Sequence, residues 1–313
     1  MKSLLHALPG LAAALLLFGC ATPFDLQGHR GARGLAPENT LPAFATALTV
    51  GVTTLELDVG VTRDGVVVVH HDPTLNPDIT RGPDGKWLET RGPAVHALTY
   101  EELARYDVGR LKPGTNYAKG LPKQEPADGA RIPTLESLFA LVKRAGNDRV
   151  RFNIETKISP LEPATTLPPE PFARKLIDEV RRAGVASRTT IQSFDWRTLA
   201  VVQNEAPDIP TVYLSTPRTL APVEGKPTPW TAGLDPAAFG GSVPKMVKAA
   251  GGKIWSPNYT ALDEAMVSEA HALGLKVVPW TVNDPEAIAK VIGMRVDGII
   301  SDRPDLVREA LKK

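Results

Sequence analysis

The chain has 313 residues, 42% of them apolar, with 36 Lys and Arg against 35 Asp and Glu and a formal net charge of +1. So even a balance leaves no overall field to gather nucleic acid or an anionic membrane face, and any function that uses charge must be local. One cysteine excludes an intramolecular disulfide and a CxxC metal site, while the apolar content is enough for one large α/β domain or two small ones.

The opening stretch MKSLLHALPGLAAALLLFGC, residues 1–20, joins a short basic start to an apolar run from Leu4 to Phe18 and a small residue before Cys20. That is the grammar of a secretory signal. The run falls short of the roughly 20 residues a bilayer span needs, and Pro9 and Gly10 interrupt it. Its end, Leu17-Phe18-Gly19-Cys20, resembles the bacterial lipobox, in which the cysteine is lipidated and becomes the first mature residue. The resemblance implies an exported, periplasmic lipoprotein whose only membrane contact is a lipid anchor at Cys20; ordinary secretion is the alternative. Ala21 in place of Asp implies the outer membrane of a Gram-negative cell.

From residue 25 onward, short runs rich in Val, Ile and Thr alternate with segments of helical period, the pattern of βα units around a parallel sheet. Strands are predicted at Asp25–Gly28, Thr53–Val59, Val66–His71, Arg149–Glu155, Thr189–Ser193, Thr211–Leu214, Lys253–Trp255, Leu275–Trp280 and Asp297–Ile300. That is one more than an eight-stranded barrel holds. The turn Thr62-Arg63-Asp64-Gly65 is far too short for a parallel crossover, so Val66–His71 must return antiparallel and bring His71 back to about the level of Asp58. The expected fold is therefore a (β/α)₈ TIM barrel, a single domain over 25–313, with a subdomain inserted after the second-strand hairpin at about 72–132. The insertion is dense in Pro, Gly and charge and is expected over the barrel mouth. A second irregular stretch, 216–241, is expected to wall it. In the first helix Asn39 or Thr40 is the N-cap and Gly51 the stop.

In TTLELDVG, period-two alternation turns Leu55, Leu57 and Val59 outward and Glu56 and Asp58 inward. Two inward carboxylates need a cation, either core Lys or Arg or a metal. RFNIETK adds Glu155 on the next strand, on the side of Asn153 and Lys157. Three carboxylates at adjacent strand ends suit a hard divalent cation, Ca²⁺ ahead of Mg²⁺, and few histidines with no barrel cysteine speak against zinc. His29 ends the first strand and His71 the hairpin; two imidazoles flanking a metal can serve as base and acid. His70 and His96 read as structural, and His271 as an exposed residue of a helix. Arg30 and Lys157 would stabilise a group with charge spread over several oxygens, such as a phosphate ester. Gly28 and Gly31 would let a phosphate approach the backbone, with Gly34 and Pro37 shaping the loop. Phe194 and Trp280 should reach the mouth, to pack on a substrate or merely on the rim.

The motifs HRGARGLAPENTLPAF, ELDVGVTRDGVVVVHHDPTL, PTLESLF, NIETK, WTVND and DGIISDRP occur in this order across nearly all of the chain after its leader. Together they resemble the glycerophosphodiester phosphodiesterase family. That resemblance implies a barrel fold, His29 and His71 as the catalytic pair, Arg30 as phosphate ligand, Glu56, Asp58 and Glu155 as metal ligands, and Lys157 as a supporting cation. It also implies cleavage of a small-molecule glycerophosphodiester to glycerol 3-phosphate and an alcohol. Two rivals are a phospholipase D-like enzyme acting on lysophospholipid or sphingomyelin, and a lipoprotein that binds phosphorylated polyols without turnover. The first needs an exposed apolar rim, and neither irregular stretch has a clear run of large apolar residues. The second has no use for a histidine pair.

Overall fold

The computed structural model describes residues 24–312; the leader and Cys20 lie outside the described residues. Nine strands form one sheet: β1 Asp25–Gly28, β2 Thr54–Val61, β3 Val67–Val69, β4 Arg151–Thr156, β5 Thr189–Ser193, β6 Thr211–Ser215, β7 Ile254–Pro257, β8 Lys276–Val277 and β9 Gly298–Ser301. Eight of them are parallel, in the order β8-β7-β6-β5-β4-β2-β1-β9. The two ends of that order are bridged by backbone bonds from Asp297 N–H to Val277 O (2.9 Å), Ile300 N–H to Pro279 O (3.0 Å) and Val282 N–H to Ile300 O (3.1 Å). The fold is thus a (β/α)₈ barrel, with a helix following each parallel strand before the next.

β3 is the surplus strand. It pairs antiparallel with β2, Val59 opposite Val69 and Val61 opposite Val67, and His70 N–H bonds to Asp58 O at 2.9 Å. This register carries His71 to the mouth. The other departure is β8, much shorter than the stretch Leu275–Trp280 suggests. Pro279 has no N–H to give, so the regular ladder ends at Val277. The chain nevertheless stays beside β7, with Val278 N–H on Trp255 O and Trp280 N–H on Pro257 O.

Leu55, Leu57, Val59, Phe152 and Ile154 face outward into the apolar layer between barrel and helices. The first of those helices, Leu41–Val50, starts at Thr40, whose side chain accepts from Ala43 N–H, and stops at Gly51 in the left-handed region (φ 82°). The insertion builds a small core of its own from Leu75, Val95, Leu103, Val108 and Ile132 against Val68. It docks on the first βα loop at the flank of the mouth, through Gln124 Nε2 to Arg33 O (2.7 Å) and Glu125 N–H to Leu35 O (2.9 Å).

Candidate active site

The C-terminal strand ends carry the polar side chains. Glu56 and Asp58 point inward from β2 and Glu155 from β4, and one oxygen from each lies within 4.8 Å of the other two. All three are buried, and each is held. Glu56 accepts from Arg30 N–H at 2.8 Å and from Gln192 Nε2 at 2.6 Å. Asp58 accepts from Asn39 Nδ2 at 2.9 Å. Glu155 accepts from Lys157 Nζ at 2.8 Å. Beneath them a neutral layer closes the barrel, Asn153 Nδ2 donating to Gln27 and to Gln192, both at 2.9 Å.

Positive charge is short at this centre. Lys157 stands 2.8 Å from Glu155 and 3.9 Å from Asp58. Arg30 stands 3.3 Å from Asp58 but spends Nη1 on Glu38 at 2.8 Å. Glu56, Asp58 and Glu155 therefore share Lys157 and an Arg30 that is already engaged by Glu38. Burial, with Asp58 repelling, raises the Glu56 carboxyl well above its usual range. Burial likewise pushes Glu155 up to about 7, with Lys157 pulling the other way. Asp58 stays low, because His71, Arg30 and Lys157 overcome the cost of its burial. Three oxygen donors, rigidly held and short of countercharge, fit a hard divalent metal ion.

The histidines flank this cluster. His29 Nδ1 lies 2.5 Å from Asp302 Oδ1, and Asp302 also accepts from Arg33 Nε (2.6 Å) and Asn283 Nδ2 (2.7 Å). His71 Nδ1 lies 2.8 Å from Asp72 Oδ1, and its Nε2 is 3.0 Å from Lys157 Nζ. An ammonium beside Nε2 can only donate, so neutral His71 carries its proton on Nδ1. Burial first, then Arg30 and Lys157, lower the His71 pKa to about 4. Burial is also the main cause that lowers His29, with Asp302 opposing.

Arg30 is buried in the left-handed region (φ 50°), and its Nε has no hydrogen-bond acceptor. Phe194 and Trp280 meet edge to face, centroids 5.3 Å apart, and Lys157 Nζ lies 5.8 Å from the Phe194 ring centroid. His29, Arg30, Glu56, His71, Lys157 and Trp280 all line one inner cavity of about 120 Å³. Beyond it opens an outer cleft of about 720 Å³, which shares His71, Glu155, Lys157 and Phe194 with the inner cavity and is walled by Leu161, Val223 and Trp230. The irregular stretch 216–241 does supply one wall. An apolar rim is present after all, assembled from separate segments rather than from one run.

Every site residue anticipated from the sequence lies at this mouth, but two details differ. Gly28 and Gly31 leave no room for phosphate. A Cβ on Gly28 would stand 2.0 Å from Gly31 O, and one on Gly31 2.8 Å from the Ala43 carbonyl carbon, so these glycines serve close packing of the loop on itself and its helix. The helpers Glu38, Asp72, Gln192 and Asp302 have no role in the sequence reading, and Asn39, a candidate N-cap there, instead holds Asp58 while Thr40 caps the helix. Asp302 follows β9, and Gln192 alternates inward on β5, so strand-end position and period two were usable signals. Tyr117, which donates to Glu38 and receives Arg30 Nη1 at 3.2 Å, comes from the insertion, where nothing local marks it. His70 is buried with Nε2 unpaired, and His271 is exposed beside Asp297 at 2.9 Å.

Residues 29–306 match the model of the glycerophosphoryl diester phosphodiesterase family. A glycerophosphodiester phosphodiesterase of Caldanaerobacter subterraneus is 30% identical over 285 residues, covering 91% of this chain and 96% of that one. A crystal structure from Silicibacter pomeroyi DSS-3, provisionally described as a glycerophosphoryl diester phosphodiesterase, superposes with a TM-score of 0.83 at 36% identity over 93% of each chain. An Oleispira antarctica phosphodiesterase in complex with the product sn-glycerol-3-phosphate shares the fold at a TM-score of 0.67 and 21% identity, over 92% of this chain and 96% of that one.

Proposed function

This chain belongs to the glycerophosphoryl diester phosphodiesterase family and is an enzyme of that class, and from that premise we propose how its site works. The substrate is a small glycerophosphodiester, hydrolysed to glycerol 3-phosphate and an alcohol. One observation carries the assignment of residues: three carboxylates lie within 4.8 Å of one another, and two of them, Glu56 and Glu155, line a cavity with two imidazoles, each bound through Nδ1 to a carboxylate.

Glu56, Asp58 and Glu155 would hold one divalent cation, Ca²⁺ ahead of Mg²⁺, because Mg²⁺ usually takes only one or two protein carboxylates. The bound cation would supply positive charge against the anionic oxygens of the reacting phosphate. Arg30 and Lys157, both on the wall of the inner cavity, bring a guanidinium and an ammonium to the phosphate oxygens. Asp302 holds the Nδ1 proton of His29, which leaves the Nε2 lone pair to take the proton of the glycerol 2-hydroxyl. The freed oxygen attacks phosphorus. The bond to the departing alcohol breaks, and that alcohol takes its proton from Nε2 of His71, which enters this step as the imidazolium with Asp72 on its Nδ1 and which also lines the outer cleft. Water then opens the cyclic phosphate, giving its proton to His71 while His29 returns the other to the 2-oxygen. Phe194 and Trp280 pack on the carbon skeleton of the substrate.

Export and a lipid anchor at Cys20 in the outer membrane are part of the same reading. β1 runs toward the mouth from Asp25, so a tether at Cys20 enters at the opposite face and turns the site away from the anchoring bilayer. Deacylated glycerophosphodiesters are favoured over lipids of that membrane.

The test is release of glycerol 3-phosphate from glycerophosphocholine and glycerophosphoethanolamine by the chain without residues 1–20, with chelator or with added Ca²⁺ or Mg²⁺. Turnover that needs the cation and vanishes in His29→Ala and Glu56→Gln is the expected result. Full activity in either variant would overturn the assignment.

A further inference from the structure

The outer cleft is far larger than a small head group requires, at about 720 Å³ against about 120 Å³ for the inner cavity. The two are continuous through His71, Glu155, Lys157 and Phe194, so whatever leaves the phosphate on the His71 side enters the cleft. Its walls come from three places in the chain: Ile158 and Leu161 after β4, Phe194 after β5, and Pro222, Val223 and Trp230 in the stretch after β6. Leu161, 50% exposed, is the most exposed of the large apolar side chains among the described residues, and it stands on this rim. The charged members, Asp72, Glu155, Lys157, Glu162, Arg218 and Glu224, bring both signs.

We propose that this cleft receives the hydrocarbon part of the departing alcohol, so that the preferred substrates are glycerophosphodiesters whose glycerol is free and whose other alcohol carries an alkyl or acyl chain. The inference presupposes the hydrolysis set out above and names its substrate class. The chemistry is unchanged: the P–O bond to the chain-bearing oxygen breaks, that oxygen takes a proton from His71, and the alcohol leaves along the apolar wall. Each methylene withdrawn from water would raise kcat/KM by up to about fourfold, since binding of a remote group lowers the free energy of the bound transition state.

The experiment uses the purified enzyme with its cation and a series of glycerophosphodiesters of ethanol, butanol, hexanol and octanol, below their aggregation limits, beside glycerophosphocholine. The expected kcat/KM rises from ethyl to octyl by at least about thirtyfold, and Leu161→Glu and Val223→Glu each flatten that rise. A flat or falling series, a rise untouched by both variants, or a preference for glycerophosphocholine over the octyl ester would each overturn the inference while leaving the hydrolysis standing. Failure to cleave any member would instead overturn the catalytic reading itself. Leu161 lies half exposed on the rim, so its replacement does not endanger folding.

Discussion

His29 Nδ1 lies 2.5 Å from Asp302 Oδ1, at the end of a chain of contacts in which Arg33 and Asn283 fix the carboxylate from two other sides. Arg33, without a role in the sequence reading, thereby acquires one. The arrangement sets both the tautomer and the direction of the imidazole, so Asp302 is a positioning residue for the proposed base. Asp302→Asn offers an amide N–H where a carboxylate should accept, which favours the wrong tautomer. The kcat is expected to fall by roughly 10²- to 10⁴-fold with little change in thermal stability. A second readout separates positioning from bulk structure. The carboxylate raises the His29 pKa against the lowering effect of burial, so its loss moves the acidic limb of kcat/KM to lower pH. An unmoved limb with less than tenfold loss would count against the role.

The carboxylate cluster gives a pH dependence of cation binding. Burial pushes Glu155 up to about 7 and raises Glu56 well above its usual range. A cation can bind only after those protons leave. Apparent affinity is therefore expected to fall as pH drops below about 7, by up to about tenfold per pH unit for each proton displaced, and to level off once Glu155 and Glu56 are both ionised. Titration calorimetry with Ca²⁺ at pH 6, 7 and 8, in buffers of different ionisation enthalpy, measures both the affinity and the protons released. Constant affinity with no proton release would show that the cation does not meet these acids.

Gly28→Ala tests the packing role found for the first loop. The added methyl would stand 2.0 Å from Gly31 O and 3.3 Å from Ala47 Cβ. The nearer atom is backbone and cannot swing aside, so the loop that carries His29 and Arg30 must shift. A loss of about 3 kcal/mol or more is expected, or roughly 6–12 °C in Tm, together with loss of turnover. A variant of normal stability that had only lost phosphate affinity would restore the idea that this glycine makes space for substrate.

Much of the site was legible because period two is a strong local rule. Once Glu56 and Asp58 alternate against Leu55, Leu57 and Val59, the inner face is known, and the four-residue turn forces His71 back to it. The same rule put Glu155 and Lys157 on one side of β4. The insertion was opaque for the opposite reason: Tyr117 and Gln124 find Glu38 and Arg33 across many residues, by tertiary docking that no local period records. The apolar rim was missed likewise, because Leu161, Phe194, Val223 and Trp230 are isolated in the sequence and become a surface only when β4, β5 and β6 stand side by side. Gly28 and Gly31 were read as empty space when they are filled by neighbouring backbone, a distinction that needs the fold.

Arg30 joins stability to the site, so its removal should be felt in both. Its Nη1 is 2.8 Å from Glu38, its Nε 3.3 Å from Asp58, and all three side chains are buried. Arg30→Met leaves two carboxylates with less countercharge in a dry setting, which costs about 3–5 kcal/mol. Glu38 is held below its usual value because Arg30 and then Arg33 overcome its burial. Such a depressed pKa contributes stability above the unfolded value of about 4.5 and loses it as pH falls through the folded value. Without Arg30 the larger part of that contribution is lost, because only Arg33, 3.9 Å away, remains beside Glu38. The deficit of Arg30→Met is therefore expected to be largest near pH 7 and to shrink below about 4.5, where the wild type gives up the same advantage. Urea unfolding in chelator at pH 7 and pH 4 measures it. An equal deficit at both values would mean that Arg30 supports the fold through its packing and not through the charges of Glu38 and Asp58.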